Sequence, residues 1–179
     1  MYADNTLTPK EAIRLCALGT LTSGPLRYGE LVTSVRHFVS HILGPSLEMM
    51  GTSIELLKYE GLIEARDGVG MEDDAVLEIT PVGREALNDL LTTNIRAAAT
   101  ELNKLIIALK FRFLHLLDAE EQRIQADLLI DVCENELARL DELQTHHSAD
   151  EGYLGAWLNH DIKMLEGNLA WLEAFRDKI

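Results

Sequence analysis

The chain has 179 residues, 47% of them hydrophobic, with 16 basic and 30 acidic side chains and a formal net charge of -14. That apolar fraction excludes a disordered acidic polymer and fits a helix-rich soluble protein. The charge argues against a basic nucleic-acid module in either half, because residues 1–91 hold 7 basic and 14 acidic side chains and residues 92–179 hold 9 and 16. Cys16 and Cys133 form no CxxC pair and are too few for a disulfide framework, so buried thiols in a reducing cytoplasm are expected. The N-terminal residues carry neither the basic start nor the apolar core of a signal peptide. No apolar run approaches the roughly 18 residues of a membrane span, so no membrane association is expected.

Thr8-Pro9-Lys10-Glu11 predicts a helix start, with Thr8 as cap, Pro9 in the first turn and Glu11 closing a capping box. Ile13, Leu15, Cys16, Leu18 and Leu21 are dense enough for a largely buried helix, which Ser23-Gly24-Pro25 ends. A second helix is expected from about Leu26 to Leu43, with Leu31, Val35, Phe38 and Ile42 on one face and Gly44-Pro45-Ser46 as its stop. A third, between Ser46 and Glu60, turns Leu47, Met50, Ile54, Leu56 and Leu57 inward and closes at Gly61. Gly51 within it costs about 1 kcal/mol relative to Ala, so the helix can also begin at Gly51 or Thr52. Leu62–Arg66 and Ala75–Ile79 read as short strands around a polar, Gly-rich hairpin loop, and Thr80-Pro81 starts a helix whose stripe is Ala86, Leu87, Leu90 and Leu91.

Beyond a weak point at Thr92-Thr93-Asn94 everything reads as helix. Leu102, Leu105, Ile106, Leu109, Phe113, Leu116 and Leu117 form one stripe; Ile124, Leu128, Leu129, Val132, Leu137, Leu140 and Leu143 form a second, begun at Asp118. A last helix from about Asp150 holds Leu154, Trp157, Leu158, Ile162, Leu165, Leu169, Leu172 and Phe175. Apolar faces wider than one stripe predict burial on more than one side, either in a homodimer or in an intramolecular bundle. The fold class expected is mainly α: a winged helix-turn-helix domain over residues 1–91 with a small β-hairpin wing, then a long-helix dimerisation region over residues 92–179.

Leu18-Gly19 and Leu21, the turn Gly24-Pro25-Leu26-Arg27-Tyr28-Gly29-Glu30-Leu31, the segment Leu57-Lys58-Tyr59-Glu60-Gly61-Leu62-Ile63 and Leu77-Glu78-Ile79-Thr80-Pro81-Val82-Gly83 occur in that order. In this the chain resembles the PadR family of bacterial transcription regulators over nearly its whole length. The resemblance implies a homodimer that represses or activates promoters, dimerises through its helical C-terminal region and responds to a small effector.

On that reading Thr52, Ser53 and Lys58 approach bases, Arg27, Arg36 and Arg66 hold phosphates, and Tyr28 and Ser46 complete the candidate contacts with double-stranded DNA. Leu137, Leu140, Leu154, Trp157, Leu158, Leu165, Leu169 and Leu172 are the candidate dimerisation residues. The acidic side chains of the same region, Glu48, Glu55, Glu72, Asp73 and Asp74, support an alternative in which the scaffold docks a basic protein partner or mimics DNA. Neither cofactor nor metal is expected. His146 and His147 are adjacent and point about 100° apart, their spacing to His160 fits no zinc pattern, and His37 and His41 read as a polar face. The absence of a phosphate loop, a nucleophile elbow or a His-Glu-x-x-His argues against an enzyme.

Overall fold

Helix α1 (Pro9–Leu21) begins with the reciprocal cap that the sequence predicts. The Thr8 hydroxyl accepts from the Glu11 amide at 3.3 Å, and the Glu11 carboxylate accepts from the Thr8 amide at 2.7 Å. Eight of its thirteen residues are buried, and Ala12, Leu15, Cys16, Ala17 and Leu18 are wholly so. A helix apolar over most of its surface needs neighbours on most sides; apart from Lys10, Glu11, Arg14 and Thr20, α1 is buried past its first residue, and it packs on four other helices and one strand. The computed structural model describes residues 6–44, 51–66, 74–95 and 100–179, and only the backbone of residues 51–53.

The second predicted helix is divided. Leu26–Arg27 forms a short strand, β1, and helix α2 runs from Tyr28 to Leu43. The two residues are extended because Leu26 pairs with Leu77 and Arg27 with Val76, while the Tyr28 amide donates to the Ala75 carbonyl at 2.9 Å. Such a pairing joins segments far apart in sequence and leaves no local signal. Helix α2 buries Leu31, Val35 and Val39 and stops at Gly44, whose φ of 86° suits glycine.

Helix α3 is described over Gly51–Tyr59, and the earlier expected start at Ser46 lies outside the described residues. It ends in a Schellman motif: the Leu62 amide donates to the Leu57 carbonyl at 2.8 Å, the Gly61 amide donates to the Lys58 carbonyl at 3.0 Å, and Gly61 takes a φ of 73°. Strands β2 (Ile63–Ala65) and β3 (Val76–Ile79) follow, and the antiparallel sheet has the order β1-β3-β2. Ile63 lies opposite Ile79 and Ala65 opposite Leu77, which puts their side chains on the core face. Glu64 stands directly opposite Glu78, a like-charge pair that Arg66 offsets from 3.9 Å. The wing tip, including Glu72 and Asp73, lies outside the described residues.

Thr80 explains the Thr-Pro-Val-Gly sequence. Its hydroxyl lies 2.8 Å from the Gly61 carbonyl and 3.1 Å from that of Leu62 as a donor, and it accepts from the Gly83 amide at 3.0 Å. One side chain therefore caps helix α4 (Pro81–Thr92) and ties it to the end of α3. Gly83 is required by the same approach, since a Cβ there would lie 2.0 Å from the Leu62 carbonyl oxygen.

Helix α5 (Glu101–Phe113), continued by a 3₁₀ turn (Leu114–Leu116), packs on α1 and α2 rather than joining the helices that follow. Among the described residues, 6–94 and 100–117 form one compact unit and 118–179 belong to a second. The physical reason is local fit. The Phe113 ring sits where Gly19 of α1 leaves room, and a Cβ at Gly19 would come within 2.6 Å of it. Arg112 adds a second tie: its guanidinium lies 4.5 Å from the centroid of Phe38 and 4.9 Å from that of Phe113, and its Nη1 is 3.5 Å from the Cys16 sulfur. Lys110, 1% exposed, donates from Nζ to the Leu91 carbonyl at 2.5 Å, at the negative end of α4.

The second unit is a hairpin of α6 (Ala119–His146) and α7 (Leu154–Arg176). Its links run antiparallel along the pair: Gln144 to Asn159 at 2.9 Å, the Cys133 thiol to the Leu165 carbonyl at 3.6 Å, and Arg176 to Asp127 at 3.3 Å. Leu129, Ile130 and Cys133 of α6 are buried, as are Leu158, Ile162 and Leu172 of α7. Among the described residues no helix is long and apolar enough to cross a membrane.

Two expectations follow. Gly83→Ala loses about 1–3 kcal/mol through overpacking, despite the better helix propensity of Ala, and Thr80→Val loses about 1–2 kcal/mol with the cap; urea unfolding measures both. Burial lowers the Lys110 amine from its ordinary value to about 8. The unfolded chain then binds more protons between pH 8 and 10.5, so this residue's contribution makes stability rise with pH across that window. Cys16 opposes it: burial raises its thiol to about 11, so its contribution is full below the unfolded value near 9 and is lost as pH rises through 11. Lys110→Met isolates the lysine: between pH 7.5 and 10 the wild type gains stability relative to the variant, by up to a few kcal/mol.

Candidate nucleic-acid interface

Among the described residues, helix α3 is held mainly from one side. Ile54 and Leu57 are fully buried, and the helix packs on α1, while Glu55, Leu56 and Tyr59 are exposed. The sequence placed Leu56 inward beside Leu57. Consecutive helical residues diverge by about 100°, so Leu57 takes the core position and Leu56 is turned out, 46% exposed. Tyr59, at the last turn, is 90% exposed. Lys58 is half-buried at the side of the helix. The side chains of Thr52 and Ser53, and all of Ser46 and Glu48, lie outside the described residues.

Arg27 ends β1 and directly precedes α2; its side chain is exposed and its amide donates to the Glu30 carboxylate at 3.2 Å. Tyr28 is half-buried beside the sheet, and Arg36 is exposed on α2. Arg66 is exposed at the end of β2 but lies near Glu78, and Arg14 forms a two-pronged ion pair with Glu60 at the end of α3. Two cations of the first unit thus face carboxylates, and Asp74 and Glu64 add exposed negative charge close to the hairpin. The structure brings Arg27, Tyr28 and Arg66 to the small sheet and leaves Arg36 farther along α2. Leu56 and Tyr59, absent from the sequence candidates, were recognisable only by which side of α3 the core occupies.

Among the described residues, this unit has two open clefts. One, of about 540 Å³, lies along α2 at Gly29, Glu30, Thr33, Ser34 and His37. The other, of about 390 Å³, lies where Thr6 bridges to Asn94, and is lined by Thr6, Leu7, Glu11, Asp89, Leu90, Thr92 and Thr93. His37 and His41 stack with ring centroids 4.1 Å apart, and His41 Nδ1 lies 2.7 Å from the His37 carbonyl. His147 Nδ1 is 2.7 Å from Asp150. No group of three His, Cys, Asp or Glu side chains is arranged to hold a metal ion among the described residues.

The candidate dimerisation residues divide in two. Leu158 and Leu172 are buried in the α6–α7 hairpin, and Leu137, Leu140, Leu165 and Leu169 are half-buried. Leu154 and Trp157 are exposed, and with them Met164 at 62% and Trp171 at 54%. Trp157, Met164 and Trp171 recur every seven residues, a line along α7 beside the hairpin seam.

The order of α1, β1, α2, α3 and the β2–β3 hairpin, with α3 outermost on a three-helix core, defines a winged helix-turn-helix. The chain belongs to the family described as "Putative AphA-like transcriptional regulator", whose profile matches residues 2–176. No curated protein matches. Among solved structures the chain is similar to Bacillus subtilis PadR, at 16% identity over 96% of each chain with a TM-score of 0.42. It is also similar to that protein in complex with operator DNA, at 18% identity over 92% of this chain and 97% of the other with a TM-score of 0.37. For the complex with p-coumaric acid the values are 17%, 96%, 97% and 0.40. Family membership rests on the profile.

The Arg14–Glu60 pair is part-exposed, so a double-mutant cycle with Arg14→Met and Glu60→Gln is expected to return a coupling of no more than about 1 kcal/mol. A much larger coupling would show that the pair clamps α3 to α1.

Proposed function

We propose that this regulator binds operator DNA as a homodimer, laying α3 in the major groove with the β2–β3 hairpin as wing, and that it catalyses no reaction. The observation that carries the reading is α3, packed through Ile54 and Leu57 with Glu55, Leu56 and Tyr59 exposed on the other side, the placement a recognition helix needs. Arg27 and Arg36 are the exposed cations offered to phosphates, and Arg66 joins them by leaving Glu78. Thr52, Ser53, Lys58, Tyr28 and Ser46 remain proposed contacts. The dimer is proposed to form through Leu154, Trp157, Met164 and Trp171 of α7, since an exposed line of this kind is unusual on a monomer. A small effector is proposed, as in the PadR complex with p-coumaric acid; the cleft by Thr6 would favour a neutral or cationic one, because Glu11 and Asp89 line it. The cytoplasm is its proposed location, where Cys16 and Cys133 stay reduced.

A second reading is favoured by the pairing of Arg66 and Arg14 with carboxylates. The same face then docks a basic protein through Glu55 and Asp74, with Glu48, Glu72 and Asp73 as further proposed contacts.

Fluorescence anisotropy with genomic fragments at low salt separates the two. With about four phosphate contacts per protomer, log affinity should fall with log salt at a slope near -3.6 for each protomer, about -7.2 for the dimer, and Arg27→Ala with Arg36→Ala should flatten the dimer's slope by about 3.6. Absence of binding at every salt concentration, with or without candidate effectors, sinks the regulator reading, and a protein partner lost on Glu55→Lys with Asp74→Lys takes its place. For the assembly, sedimentation should find a dimer that Trp171→Glu converts to monomer with its helical signal kept.

A further inference from the structure

We infer that Leu56 and Tyr59 form an apolar reading patch on α3 that senses the 5-methyl groups of thymine in the major groove. This rests on the DNA-binding reading and goes beyond it by naming the feature read. The two side chains are three residues apart, hence on one face of the helix, and are 46% and 90% exposed. A single exposed Leu or Tyr is unremarkable. Two on adjacent turns, opposite Ile54 and Leu57, lie on the face that the proposed reading turns toward DNA, Leu56 past the middle of α3 and Tyr59 at its last turn.

The chemistry of the rest of that face narrows what can be read. Of its described side chains, Glu55 lies about 40° beyond Tyr59 on the side away from Leu56, and Lys58 lies about 100° round from Tyr59. The common bidentate pairs, Arg or Lys with guanine and Asn or Gln with adenine, therefore have no donor among Glu55, Leu56 and Tyr59. Two base features remain that these residues can meet favourably. One is the cytosine amino group, which a carboxylate can accept from; the other is the thymine methyl, which only an apolar surface rewards. Two large apolar side chains against one carboxylate make thymine the principal feature. An acidic chain gains from this mode, because methyl contact needs no cation and adds nothing to the repulsion that phosphates already exert.

The test begins with selection by the full-length protein from a random DNA duplex library spanning about two helical turns. The selected duplex is then remade with deoxyuridine in place of thymidine, which removes the methyl groups and leaves base pairing intact. Binding by the wild type is expected to weaken about fourfold for each contacted methyl, the worth of one buried carbon. Leu56→Ala with Tyr59→Ala should bind the two duplexes alike, whereas Tyr59→Phe should still discriminate, which separates methyl contact from readout by the phenol hydroxyl. Both positions are exposed, so circular dichroism should show the fold unchanged in every variant. Wild-type binding that ignores the methyl groups, or discrimination that survives in the double alanine variant, overturns this inference and leaves DNA binding standing. Failure to select any duplex overturns both, and assigns the patch to a protein partner.

Discussion

Helix α1 is covered around most of its circumference, and most of the first unit follows from that. With Ala12, Leu15, Cys16, Ala17 and Leu18 wholly out of water, α2, α3, α4, α5 and β3 each have to supply an apolar surface to it. Each large side chain buried there contributes roughly 1.5–3 kcal/mol, so the sum outweighs any single surface ion pair in this protein. The same constraint makes small residues decisive where backbones converge. Gly19 admits the Phe113 ring and Gly83 admits the Leu62 carbonyl, and these two approaches bring α5 and α4 onto the central helix.

A core of this kind drives charge outward, and the charge is mostly negative. In the first unit Glu11 and Glu30 serve helix starts, while Glu60 and Glu78 face Arg14 and Arg66. These arrangements satisfy local backbone and side-chain groups, yet the carboxylates keep their charge, so a DNA duplex approaching α3 meets repulsion at long range. Attraction then has to come at short range, from a few exposed arginines and from apolar contact. On the proposed reading, that division between weak steering and close-range contact would set this surface apart from basic nucleic-acid interfaces.

The α6–α7 hairpin has a different logic. Two helices bury one seam between them, and α7 carries a second line of apolar residues beside the first. A single hairpin cannot cover both lines, which is why the sequence showed faces wider than one stripe. Of the three long helices that the sequence assigns to a dimerisation region, α5 packs on α1 and α2 in the first unit.

Local chemistry in the sequence determined much of this protein. The capping box at Thr8, the Thr80-Pro81 start, the stop at Gly61 and the apolar stripes of α4, α6 and α7 are short-range effects, fixed by backbone hydrogen bonding and helical period. The ordered motifs around Leu18, Gly24, Leu57 and Thr80 were enough to suggest a regulator family. Tertiary structure decided what depends on partners distant in the chain: that Leu26 and Arg27 join a sheet, that α5 leaves the C-terminal helices, and that Leu158 and Leu172 serve the hairpin while Met164 and Trp171 stay exposed. It also decided the outward face of α3. Helical period places Leu56 and Leu57 on diverging sides, but only the position of α1 says which of them meets the core and which meets solvent.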